Sequence, residues 1–358
     1  MYRRDFLHPR QIALAAGQVL GALANAPFNP QPPPASAAEP DATLLRFSRR
    51  CMATMFEVVF PFGTPDATET ARQAFDLLDR LESQLTVYRD GSEVSHLNRL
   101  ASLQAVRVET GLFALLRLAA DLSALTGGAF DVTAGALVKA WGFYRGPRRV
   151  PSDAELLRAL DASGMRHVVL DSESESIRFL RPGLEINLGS IGKGYALDRV
   201  AAWLDGLTEP SAVLLQGGSS SVYAKGSPTP GGRGWPVDIK HPWHPGRYLA
   251  RLRLRDKGLG TSAATFQYLE HQGRKLGHVL DPRTGWPATG VASASVVAPT
   301  AAEADALSTA FFVAGPQLAR VVCAARADIG CLLLPEGDDA EVIVLNLGPE
   351  VAAIADGN

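Results

Sequence analysis

Apolar and β-branched residues alternate with polar ones over residues 54–60, TMFEVVF, and that period of two predicts a strand with a buried face. After Pro61-Phe62-Gly63 the period changes. Residues 68–85 place apolar side chains at helical spacing, and residues 110–125 do so again before Gly127-Gly128 ends the run. Residues 167–170 and 176–180 read as a strand pair around the polar stretch 171–175, and short apolar runs at 184–188, 212–215, 221–224, 235–239 and 248–254 are further strand candidates. A strand at 292–298 then leads into a helix at 301–313, whose start carries a T-x-x-E capping box, Thr300 and Glu303. Hairpins interspersed with helices, with no clean βαβ series, predict an α+β fold of antiparallel sheets and packed helices. No repeat of 20 to 50 residues is visible.

The pattern stops short of the N-terminus. Arg3-Arg4-Asp5-Phe6-Leu7 precedes an apolar run at 12–24, too short to span a bilayer and placed where a signal h-region lies. The arginine pair resembles a twin-arginine export signal, although Tyr2 and His8 depart from the usual residues; a disordered basic tail or an uncleaved anchor is the competing reading. Residues 29–40, rich in Pro and Ala, read as an extended linker, so residues 1–40 are assigned to signal and linker and 41–358 to one catalytic domain. A net charge of -2 gives no general basic field for nucleic acid, so phosphate chemistry has to come from a local site. Cys51, Cys323 and Cys331 cannot all pair, lack metal spacing, and are expected to be buried and inert.

Local chemistry concentrates in four places. EINLGSIGKGYAL, residues 185–197, runs from apolar strand through a glycine turn into a helix, a geometry that aims backbone amides at a phosphate; it is not a Walker A loop, because Gly194 follows Lys193 where Ser or Thr is required. On the capped helix Asp305 and Thr309 are four residues apart and share a face, with Ser308 beside them, a sparse oxygen set suited to Mg²⁺. The alternative leaves Asp305 at the helix dipole and bonds Thr309 back into its own turn. His278 precedes Leu280, Asp281 and a Pro-Arg-Thr-Gly turn, and is a candidate proton carrier or phosphate donor. Ala129-Phe130-Asp131 and Trp141-Gly142-Phe143 offer aromatic walls for a ring system, or core.

Taken in order, Met52-Ala53-Thr54, LTVYR at 85–89, GAFDVTAGALVKAWGF, INLGSIGKGYALDRV, LLQGGSSSVYAKG, GHVLDPRTGWP and APTAAEADALSTAFFVAG are similar to the FAD:protein FMN transferases, the ApbE-like family. The resemblance implies a mixed catalytic domain that cleaves FAD with Mg²⁺, transfers FMN to a Thr or Ser hydroxyl of an acceptor protein, and releases AMP. Exported members act on subunits of membrane redox complexes, so a periplasmic location is implied, or a membrane-tethered one if the signal stays uncleaved. It further implies metal ligands at Asp305, Thr309, Ser308 and the Ser190 carbonyl; FAD contacts at Met52, Tyr88, Ala129, Phe130, Asp131, Asn187, Lys193, His278, Leu280 and Asp281; and catalytic parts for His278 and Asp305. Asn187 stands where the family commonly has Asp, Ser190 replaces Gly or Ala, and Gln216-Gly217-Gly218-Ser219 replaces Leu-Gly-Gly-Asp. Those missing acids keep two alternatives in view, an FAD pyrophosphatase and a non-catalytic flavin-binding protein.

Overall fold

The computed structural model describes residues 42–263, 268–271, 273–337, 340–348 and 351–352. These all lie in one unit, Pro32–Asn358, and the export-signal and linker assignment of residues 1–40 falls outside them. In chain order come β1 (Leu44–Cys51), β2 (Thr54–Pro61), α1 (Ala67–Leu85), α2 (Glu93–Leu100), β3 (Val106–Arg107), α3 (Thr110–Leu125), α4 (Gly135–Ala140), α5 (Asp153–Asp161), β4 (Val168–Asp171) and β5 (Ser176–Phe179). There follow α6 (Gly192–Asp205), β6 (Val213–Gly217), β7 (Ser221–Lys225), β8 (Trp235–Lys240), β9 (Tyr248–Leu254), β10 (Lys257–Ala263), β11 (Tyr268–His271), β12 (Arg274–Gly277), β13 (Val291–Ala298), α7 (Ala301–Ala325), β14 (Gly330–Pro335), β15 (Ile343–Leu345) and β16 (Val351–Ala352).

Eight strands form a sheet in the order β1-β2-β6-β7-β10-β13-β14-β15, antiparallel at every pairing, which is the α+β architecture the alternation predicts. The period of two sorts β2 between two cores: Phe56, Val58 and Phe60 face the helices, whereas Val59 joins the cluster shared with the three-stranded sheet β16-β9-β8. Strand β13 is buried along its whole length because both its faces are covered. A third, smaller cluster gathers Leu137, Trp141, Leu156 and Leu280. All three cysteines are buried, as expected from the sequence.

Several expectations need correction. Residues 184–188 are not a strand: the segment makes a single parallel bridge, Glu185 to Ala134. At Ile186 the backbone is satisfied by a side chain, because Asn98 on α2 accepts from the Ile186 N–H at 2.7 Å and donates to the Ile186 carbonyl at 2.9 Å. The capping box at Thr300 is only half formed. Its hydroxyl oxygen accepts from the Glu303 N–H at 3.2 Å, while the Glu303 carboxylate accepts from that hydroxyl at 3.3 Å and from Arg326 at 3.2 Å in place of the Thr300 backbone N–H. Ser152 and Glu155 form the complete box, at the start of α5. Helix α7 continues beyond residue 313, broken at Gly315 (φ 74°) ahead of Pro316. By length and composition α7 could cross a bilayer, yet it is the central core helix, with Leu307, Ala310, Phe311 and Phe312 fully buried.

Candidate functional site

The glycine turn and α7 meet at Asp305. The Gly194 N–H, one of the first-turn amides of α6 that have no acceptor within the helix, donates to Asp305 Oδ2 at 2.8 Å. The Ser221 hydroxyl, at the start of β7, donates to the two Asp305 oxygens at 2.8 and 2.9 Å. Burial pushes the Asp305 carboxyl up to about 6, while the Lys193 charge and these two neutral donors pull the other way. Asn187 shapes the same turn: its side-chain oxygen accepts from the Gly189 N–H at 2.9 Å, the bond an aspartate there would also make.

Further hydroxyls gather on the same turns of α7. Ser308 and Thr309 both donate to the Asp305 backbone carbonyl, at 2.9 and 3.1 Å, so the bonding back into the turn that the sequence left open is realised. Both also touch Ser262 on β10, whose Oγ lies 2.9 Å from Ser308 Oγ and 3.2 Å from Thr309 Oγ1. Ser308 is buried and Thr309 half-buried. One desolvated carboxylate bonded only by neutral donors, among hydroxyls and without sulfur or imidazole, is a donor set that fits a hard divalent cation such as Mg²⁺. The Cys51 thiol, Asp79 and Glu82 also bring ligand-type atoms within 4.8 Å of one another. Their bonds serve the β1–β2 hairpin: the thiol and Arg49 donate to Asp79, both at 3.0 Å, and the Met52 N–H to Glu82 at 2.7 Å.

That hairpin places Met52. Cys51 pairs with Thr54 across a two-residue turn, and both turn residues, Met52 (φ 46°) and Ala53 (φ 61°), are left-handed, as such a tight turn requires. Tyr88, half exposed, stacks on Tyr144 with centroids 4.8 Å apart and planes 9° from parallel. Tyr144 lines a cavity of about 220 Å³ together with Asn98, Arg99, Lys139, Glu185 and Asn187. By contrast Ala129 and Phe130 are buried in the main core, so the Phe130 ring offers no wall to a ligand. Asp131 organises its own loop, accepting from the Thr133 N–H at 2.8 Å and the Met165 N–H at 2.9 Å.

His278 follows β12 directly, and its ring stands edge-on to Phe143 at 6.5 Å. Leu280 is buried against Trp141, which donates to the Gly285 carbonyl at 2.8 Å and so pins the turn that follows His278. The Asp281 carboxylate binds Arg283 in a fork, Oδ1 to Nε and Oδ2 to Nη2, both at 2.8 Å, and its carbonyl accepts from Gly285 at 2.7 Å.

Sequence reasoning missed Ser262, and left Ser221 open between a polar turn at the cleft and a plain hairpin loop. One signal was available: Gly258, Gly260 and Ser262 share one face of β10, and they meet α7 at Ala301, at Ala304 and at the Ser308–Thr309 pair in turn.

A sequence model described as the ApbE family matches residues 52–333. The FAD:protein FMN transferase of Treponema pallidum is 33% identical over 257 residues, covering 68% of this chain and 70% of the relative. That of Salmonella typhimurium is 29% identical over 341 residues, covering 92% and 93%. The crystal structure of the ApbE protein from Thermotoga maritima superposes with a TM-score of 0.77 at 28% identity, over 85% of this chain and 97% of the other. The flavin transferase ApbE from Vibrio cholerae gives 0.75 at 27% identity, over 85% and 98%. A match of that extent, on a sheet and helix pair arranged as described, makes this chain a member of the ApbE family.

Proposed function

We infer that this protein is an FAD:protein FMN transferase that moves FMN from FAD to a Thr or Ser hydroxyl of an acceptor protein, with AMP as the leaving group. The observation that carries this reading is the buried Asp305 carboxylate, held by Gly194 and Ser221 where the glycine turn meets α7. Asp305 and Thr309, with the Ser190 carbonyl, would hold Mg²⁺, and the buried Ser308 hydroxyl beside them would be an auxiliary contact. The chemistry a bound Mg²⁺ supplies is neutralisation of negative charge on the pyrophosphate. In the transfer the acceptor oxygen bonds to the FMN phosphorus, the bridging P–O bond breaks, and its electron pair leaves with AMP. Lys193 and the turn amides add positive potential. His278 orients the acceptor hydroxyl and takes its proton. Met52 and the Tyr88 ring contact FAD, with Asn187 and Asp281 beside it, while the buried Ala129, Phe130 and Leu280 anchor from within the core the loops that carry Asp131 and His278.

The twin-arginine-like start supports export to the periplasm, and an exported subunit of a membrane redox complex is the acceptor class we propose. The test is mass spectrometry of such an acceptor after incubation with FAD and Mg²⁺. One added FMN on a Thr or Ser supports transfer. Rapid release of free FMN without acceptor modification supports the pyrophosphatase instead, and FAD retained with no AMP formed supports a binding protein.

A further inference from the structure

Helices α6 and α7 clasp each other by their first turns. Asp198, four residues beyond Gly194 on α6, accepts from the Ala301 N–H at 2.7 Å and the Ala302 N–H at 2.8 Å. Asp305, four residues beyond Ala301 on α7, accepts from the Gly194 N–H at 2.8 Å. Each helix therefore sends a carboxylate to the other's N-terminus, where unpaired amides and the helix dipole favour an anion. The approach is close: a Cβ on Gly194 would stand 2.1 Å from the Ala301 carbonyl oxygen. Thr300 serves the next two amides of α7, through its hydroxyl to Glu303 at 3.2 Å and its carbonyl to Ala304 at 3.1 Å. The Ala304 bond is the first of the helix itself, so of the open amides those of Ala301, Ala302 and Glu303 have acceptors, and Asp198 accounts for two of the three.

Asp305, Ser308 and Thr309 ride on the first turns of α7, whereas Ser190, Gly194, Ser221 and Ser262 belong to the glycine turn, the start of α6 and the strands that face it. A pivot of the α7 start would separate the two sets of oxygens. We propose that Asp198 is a positioning residue for the cation site: by fastening the start of α7 to α6, it fixes where the Asp305 carboxylate and the Thr309 hydroxyl stand relative to the Ser190 carbonyl. The inference rests on the reading of Asp305 as a magnesium ligand.

The test uses the full chain and two variants, Asp198→Asn and Asp198→Glu. Asparagine keeps one acceptor but turns an amide donor toward a helix amide; glutamate keeps both oxygens but lengthens the arm. Mg²⁺ affinity is measured by calorimetry, and Mn²⁺ binding by electron paramagnetic resonance, both without FAD, alongside the Mg²⁺ concentration that half-saturates turnover. For either variant we expect cation binding weaker by about tenfold or more, with turnover at saturating Mg²⁺ within about threefold of wild type, the signature of a residue acting on binding alone. Half-saturation does not depend on how much of a preparation is folded, so a poorly folding variant still reports. A purely structural role lowers the signal equally at every Mg²⁺ concentration with half-saturation unchanged, and that result overturns the proposal. Failure of wild type itself to bind Mg²⁺ would instead remove the magnesium reading, an outcome visible before any variant is made.

Discussion

Two adjacent hydroxyls on α7 stand in different surroundings. Thr309 is half-buried and Ser308 is buried, though both donate to the Asp305 carbonyl and both touch Ser262. Thr309→Val should therefore weaken Mg²⁺ activation by about 10- to 100-fold, while Ser308→Ala should change it by less than about threefold; titrating turnover against Mg²⁺ checks both, and equal losses would contradict the ranking. For Asp305→Ala we expect a fall of about 100-fold or more, the effect of losing ~2.7 kcal/mol of transition-state stabilisation. Direct metal titration checks the cause, since full activity in that variant would refute the assignment. His278→Ala should still bind FAD yet transfer slowly, and a single-turnover measurement showing unchanged transfer would exclude a catalytic part for the ring.

Elements are brought together here by the absence of side chains as much as by their presence. A Cβ on Gly260 would lie 2.4 Å from the Ala304 carbonyl group, and one on Gly258 would lie 2.4 Å from Ala301 Cα. Gly260→Ala should cost about 1–3 kcal/mol in urea unfolding, and it should also weaken Mg²⁺ activation, because the strand that bears Ser262 is pushed off α7; unaltered stability would mean that the strand moves freely. This packing explains what the sequence disclosed and what it hid. Strands such as β2 and β9 announce themselves because Val, Phe, Leu and Tyr alternate along them. Strand β10, KGLGTSA, does not, because its value lies in offering no bulk to the helix above it. The segment 184–188 misled for the opposite reason: it has the apolar residues of a strand, but beyond one bridge to the 132–135 stretch the backbone of Ile186 is paired by the distant side chain of Asn98. At the site, Asp305 and Thr309 were legible because helical spacing alone puts residues four apart on one face. Ser221 and Ser262 come from strands remote in sequence, and only the sheet order brings them there.

At the scale of the molecule, two carboxylates lie in one desolvated region between α6, α7 and the large sheet. Burial pushes Asp198 up to about 7, against the lowering effect of the Ala302 and Ala301 amides, and Asp305 adds to the upward push. Asp305 itself is raised to about 6. The ordinary value for both is 3.8, so between that pH and the raised values the native state binds more protons than the unfolded chain. Stability contributed by these groups is complete below the ordinary value and is lost as pH rises through about 6 and then 7. Lowered carboxyls have the opposite sign, as for Glu155 beside Arg149, but they titrate in acid and are exposed and screened. His167 and His241, lowered mainly by burial, also act oppositely, in a range below the ordinary histidine value of 6.5. The metal-free protein should therefore lose a few degrees of melting temperature between pH 6.5 and pH 8. Cations bind the deprotonated carboxylate, so added Mg²⁺ should raise the melting temperature more at pH 8 than at pH 6. Calorimetric melting at the three pH values, with and without Mg²⁺, measures both effects. A flat profile with a pH-independent Mg²⁺ shift would show that neither acid is held protonated by the fold.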